Sequence, residues 1–220
     1  MRNRDEPRRQ PAHGGRRALA VVALVLASAC GGPGDGEPTE GPATTASTAV
    51  PPTTSAAAAG PCLRAAEAAG VFRFPTTDGS TLVGVVLGSG QTGLVLAHQL
   101  GSDLCEWLPQ AREFARRGYR VLVFDFAGSG DSRPGPDSRV DNDVIAATAE
   151  LRRRGAERVV LIGSSMGGTA VLAAATRIRP PVAGVVSLSG PSGYGGVEAG
   201  AAMARLRVPV LLVVGADDRH

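Results

Sequence analysis

Beyond residue 71 the chain alternates between apolar runs of strand length and longer stretches with apolar residues three and four apart. Two β-prone runs, residues 71–74 and 81–87, flank Thr77-Asp78-Gly79, a turn signal, and predict a hairpin. Residues 93–98, 120–126, 158–163, 182–188 and 208–215 are apolar without alternation. That is the pattern of strands covered on both faces of a parallel sheet. Residues 106–117, 141–154 and 166–177 carry the helical spacing. Gly118 and Gly155 stand just past two of these helices, where a C-terminal cap glycine belongs. Strands alternating with helices predict right-handed crossovers and an open, mostly parallel α/β sheet with helices on both faces, in one domain spanning residues 62–220.

The preceding residues read differently. Arg2, Arg4, Arg8, Arg9, Arg16 and Arg17 precede an apolar run at 18–29 that stops at Cys30. That run is too short for a hydrocarbon core needing about 20 residues. A basic start, a short apolar stretch and small residues at its end make a secretory signal over residues 1–29. Ala27-Ser28-Ala29 suits ordinary cleavage and simple secretion. The stretch also resembles a bacterial lipobox, in which Cys30 becomes the first mature residue and carries lipid that anchors the protein outside the cytoplasm. Whether export follows the general or the twin-arginine route stays open, since Arg16-Arg17 only loosely matches the latter. Residues 30–61 are a tether: of the 31 residues from 31 to 61, 27 are Gly, Pro, Thr, Ala or Ser, too little apolar surface to fold.

Charge adds one exclusion. The formal net charge is +3, but residues 1–17 hold six of the 23 basic and two of the 20 acidic residues. The basic character belongs to the leader alone, so no nucleic-acid partner is indicated.

In open α/β sheets chemistry gathers beyond the carboxyl ends of the strands. One exit, Gly163-Ser164-Ser165-Met166-Gly167, fits G-x-S-x-G and lies where a strand runs directly into a helix. A nucleophile elbow requires that junction, with glycines two before and two after the serine so that neighbouring backbone can pass close. The turn would expose Ser165 Oγ and place the Met166 N–H at a helix start. A phosphate-binding turn lacks its lysine here.

With these features the sequence resembles the α/β-hydrolase family from about residue 72 to 220. His98 is similar to the histidine of that family's oxyanion loop, although Gln99 stands where glycine is usual. Residues 125–132 resemble its D-x-R-G-x-G-x-S segment, with Ala127 in place of arginine. Residues 208–218 resemble the strand and G-x-x-D turn that deliver the catalytic acid. The resemblance implies a serine hydrolase acting on a small-molecule ester or acyl compound. Ser165 would be the nucleophile, the N–H groups of Met166 and Leu100 the oxyanion donors, and Asp218 the acid, with Asp217 its competitor.

The base is the unfilled role. His13 lies in the leader, His98 is structural in the family, and His220 follows the acid too closely. The family's base comes after an eighth strand, so the sequence reads as one cut short before it. Little hydrolysis is then expected of these 220 residues. A non-catalytic surface lipoprotein on a hydrolase scaffold, or a fragment, is the alternative.

Cys62 and Cys105 form either a disulfide, as export would allow, or two separate thiols. His and Cys spacing offers no metal site, no cofactor signature occurs, and nothing in these patterns sets an oligomeric state.

Overall fold

The computed structural model describes residues 62–218. One turn of helix, α1 (Ala65–Ala68), leads into β1 (Phe72–Pro75), β2 (Thr81–Leu87) and β3 (Thr92–Ala97). A 3-10 turn (Leu104–Trp107) opens α2 (Leu108–Arg116), followed by β4 (Arg120–Asp125) and α3 (Val140–Arg153). Next come β5 (Arg158–Ser164), α4 (Met166–Ala175), β6 (Gly184–Leu188) and the short strands β7 (Gly193–Tyr194) and β8 (Val197–Glu198). Helix α5 (Ala199–Met203) and β9 (Val210–Val213) are the last described elements.

Seven strands form one sheet in the order β1-β2-β4-β3-β5-β6-β9, with β7 and β8 as a separate ribbon. The β1–β2 and β2–β4 pairings are antiparallel, and every pairing from β4 to β9 is parallel. The fold is therefore the mostly parallel α/β sheet that the continuous apolar runs predict. In β4, Leu122 and Phe124 join the core cluster that holds Val144, Ala147 and Leu151 of α3 and Ala170 and Val171 of α4. Val121 and Val123 are equally buried and, by strand alternation, point to the opposite face. Helix α2 covers that face, packing on β2 and β4 through Leu108, Ala111 and Phe114. Helix α4 is buried at every position, which its small, apolar sequence MGGTAVLAAA permits.

The chain path defines where a site belongs. From β3 the chain leaves through α2 to β4; from β5, which lies on the other side of β3, it leaves through α4 to β6. Neighbouring strands whose connections depart in opposite directions open a crevice at their carboxyl ends. Here those ends meet at the Ala97–Gly163 pair.

Asp143, in the first turn of α3, is fully buried; its Oδ2 accepts the Ala127 N–H at 2.9 Å. Its Oδ1 has no partner among the described residues. Burial, aided by the nearby carboxylates of Asp78 and Asp141, pushes this carboxyl up to about 7 from 3.8. The folded chain keeps a proton that the unfolded chain has already released, so stability falls as pH rises from about 4 to about 7 and levels off above. Asp143→Asn is expected to flatten that slope by up to about 1.4 kcal/mol per pH unit, as urea melts at a series of pH values would measure.

Candidate active site

The strand-to-helix junction after β5 is locally constrained. Ser165 sits at φ 47°, ψ −116°, and among the described residues only it and Ser189 have positive φ without being glycine. A side chain there is disfavoured by contacts between its Cβ and the backbone, and such strain collects at functional sites. The turn is pinned from both sides. Ser165 N–H donates to the Leu188 carbonyl at 2.8 Å, and the Ser165 carbonyl accepts the Thr169 N–H at 3.1 Å. Ser165 is half-buried, and its hydroxyl makes no hydrogen bond to a described residue.

The two glycines of the pentapeptide are there for packing. A Cβ on Gly163 would fall within 2.8 Å of the Gly168 nitrogen and closer still to the Gly167 carbonyl. One on Gly167 would lie 2.7 Å from the His98 carbonyl oxygen and closer to that of Ala97. The helix start and the exit of β3 are thus in backbone contact, bringing the 98–101 loop beside the elbow.

That loop is held at several points. His98 is buried; its Nε2 accepts the Phe126 N–H at 3.1 Å, so its proton sits on Nδ1, which donates to the Gln99 carbonyl at 2.7 Å. In a planar trans peptide the N–H points away from the C=O, so the Leu100 N–H is aimed away from the His98 ring. Neither the Leu100 N–H nor the Met166 N–H donates to a described residue. Gln99 does not lie at positive φ, so a side chain at this position, glycine in the family pattern, causes no backbone strain. Leu100 is 62% exposed.

Residues 125–132 build the wall between β4 and the 3-10 turn. Asp125 is buried and accepts the Leu104 N–H at 2.7 Å and the Asp131 N–H at 3.1 Å. Burial holds its carboxyl above the usual carboxylate range despite these donors. Ser132 Oγ donates to the Asp125 carbonyl and accepts the Val83 N–H. The Asp125 and Ser132 side chains are thus spent on backbone.

At the far side of β6, Asp218 closes a turn through its N–H to the Gly215 carbonyl at 3.0 Å. Asp218 is half-buried and Asp217 exposed. The only histidine among the described residues is His98; His13 and His220 lie outside them, as do the leader, Cys30 and the whole of the tether. Cys62 and Cys105 are joined by a disulfide. No group of His, Cys, Asp or Glu able to hold a metal ion occurs among the described residues. None of their helices is long and apolar enough to cross a membrane.

Sequence reasoning missed one participant. Glu106, expected only as the start of a helix, lies in the 3-10 turn; its carboxylate accepts the Ser164 hydroxyl and the Gln99 N–H.

These features set a strained strand-to-helix turn against the loop that leaves β3, across a topological switch point. Residues 93–207 match the family model described as alpha/beta hydrolase fold, and the chain belongs to that family. It is 35% identical over 111 residues to a 2-hydroxy-6-oxononadienedioate/2-hydroxy-6-oxononatrienedioate hydrolase of Paraburkholderia phymatum. It is 34% identical, over the same length, to the hydrolase of that name from Burkholderia vietnamiensis. Each match covers 48% of this chain and 38% of the relative, so the chain matches little more than a third of those proteins' length. Among solved structures, an esterase of Pyrococcus furiosus superposes with a TM-score of 0.56 at 18% identity, over 64% of this chain and 68% of the esterase. At that identity the likeness is one of fold.

Proposed function

We propose that the protein is an exported serine hydrolase that cleaves carboxylic esters or related acyl compounds. Ser165 Oγ attacks the acyl carbonyl, and the N–H groups of Met166 and Leu100 receive the developing oxyanion. The alcohol leaves with a proton, and water then releases the acid and restores the serine. Asp218 orients the general base, a histidine outside the described residues. The observation that carries this reading is the strained, solvent-reaching Ser165 between a strand end and a helix N-terminus, beside a second unspent N–H. The names of the two relatives are consistent with hydrolysis, and the half-buried state of Asp218 favours it over Asp217 as the acid.

Export and lipid attachment at Cys30 belong to the same proposal. Support comes from the leader pattern and from the Cys62–Cys105 disulfide, a bond that persists in oxidising compartments. A non-catalytic scaffold is the second reading, favoured by one observation: the sole described histidine is buried with both ring nitrogens engaged.

A fluorophosphonate probe separates the two. It is expected to add its phosphonyl group to the Ser165 peptide of the full-length protein, with loss of fluoride, and to leave Ser165→Ala unlabelled. Equal labelling of both, or of neither, removes Ser165 from the role.

A further inference from the structure

We infer that Glu106 is a positioning residue that locks the oxyanion loop to the nucleophile elbow, an assignment that rests on the hydrolase reading above. Its carboxylate is the only described side chain that bonds to both segments. Oε1 accepts the hydroxyl of Ser164, the residue immediately before the nucleophile. Oε2 accepts the N–H of Gln99, the residue immediately before the second oxyanion donor, at 3.0 Å. The two segments come from different strands, and their side-chain link passes through this one group.

The platform beneath Glu106 is rigid for reasons that have nothing to do with its own charge. Asp103 caps the 3-10 turn by accepting the Cys105 N–H at 2.8 Å, and Asp125 accepts the Leu104 N–H. Leu104 and Trp107, on either side, are buried, and Cys105 is tied to Cys62. Glu106 therefore presents its two oxygens from a fixed base.

The consequence concerns the peptide groups of the loop. His98 Nδ1 fixes the carbonyl of Gln99, and Glu106 fixes its N–H. With both ends of residue 99 held, the following Leu100 N–H has one orientation before substrate arrives. An oxyanion donor is effective when it needs no reorganisation as charge develops, and a displacement of about 1 Å costs on the order of 100-fold in rate. Gln99 makes the bridge more important here, because its φ and ψ are set by hydrogen bonds rather than by a tight glycine turn.

Chemistry supplies the control. In Glu106→Gln the amide oxygen still accepts the Gln99 N–H, and the amide NH2 donates to Ser164 Oγ, which can accept as well as donate. The bridge survives without its charge. In Glu106→Ala it is gone.

The experiment is the rate of fluorophosphonate labelling of the full-length protein and its variants, with probe binding and the maximal rate separated by concentration dependence. Glu106→Ala is expected to lower the maximal labelling rate roughly 10- to 100-fold while half-saturation moves less than about twofold. Glu106→Gln is expected to return to within a few-fold of the parent. A parent-like rate in Glu106→Ala overturns the inference, and so does equal slowing in both variants. Should Glu106→Ala fail to fold, Ser164→Ala decides: it frees one end of the bridge and must slow labelling several-fold, or the inference falls. If the parent itself is not labelled at Ser165, the hydrolase reading fails separately. Amide exchange at Gln99 then tests the lock alone: faster exchange in Glu106→Ala upholds it, and unchanged exchange overturns it.

Discussion

On the serine-hydrolase proposal, replacing Ser165 by glycine in the full-length protein is expected to abolish ester turnover and to make the protein more stable. Activity falls because the attacking oxygen is gone; loss of a serine nucleophile costs on the order of 10⁴- to 10⁶-fold in kcat. Stability moves the other way because of the backbone. At φ 47° and ψ −116° a residue with a Cβ is strained, at a cost of about 1–3 kcal/mol, and glycine is not. Glycine's extra freedom in the unfolded chain takes back about 0.4–1 kcal/mol. A net gain of about 1 kcal/mol remains, a rise of about 2–4 °C in Tm for a domain of this size. Ser165→Ala is the informative partner. It removes the same hydroxyl but keeps Cβ, so it should be equally inactive and melt close to the parent. A Tm for Ser165→Gly no higher than that of Ser165→Ala would mean that the elbow is not strained, and the main support for a nucleophile at this position would go with it.

What the sequence could reveal followed the reach of the interactions involved. Gly118 and Gly155 were legible as helix terminators because their job is local: each follows a helix end and adopts positive φ, 87° and 95°. The G-x-S-x-G junction was legible for the same reason, as five consecutive residues in an uninterrupted strand-turn-helix. Boundaries shifted where one atom decided them. Strand β9 begins at Val210 rather than 208, after Pro209, which has no N–H to pair and offers only its carbonyl to Val185. The sequence predicts helix from residue 106, whereas a 3-10 turn precedes α2, its tighter winding imposed by Asp103, Asp125 and the disulfide rather than by the composition of Leu104–Trp107. The ribbon of β7 and β8 has no signature in the sequence, because two-residue strands carry no period. Glu106 was invisible as part of the site: its partner Ser164 is 58 residues away, and a lone glutamate at a helix start is indistinguishable from a solvated one. Asp143 was hidden likewise, its burial set by the loop that folds over it from residue 127.

The glycines of the elbow supply the most demanding test of the fold itself. Gly167→Val should cost upwards of about 4 kcal/mol, beyond what ordinary surface or helix-propensity changes produce. The clash begins at the first side-chain carbon, and the two methyl groups of valine enlarge it. A Cβ at 167 points at the carbonyls of Ala97 and His98, which are backbone groups at the end of a central strand. Ala97 is itself registered against Gly163, so β3 cannot retreat without breaking its pairing with β5. The alternative is for α4 to lift, but all ten of its residues are buried. Either movement carries the Leu100 and Met166 N–H groups apart. Gly167→Ala should therefore already separate two effects by degree: a folded but less stable protein whose labelling at Ser165 is slowed far more than its melting temperature would suggest. Chemical denaturation, with labelling measured well below the unfolding midpoint, distinguishes this from simple loss of folded protein. A Gly167→Ala variant with the parent's stability and labelling rate would show that β3 and α4 are not in the backbone contact on which the shared site depends.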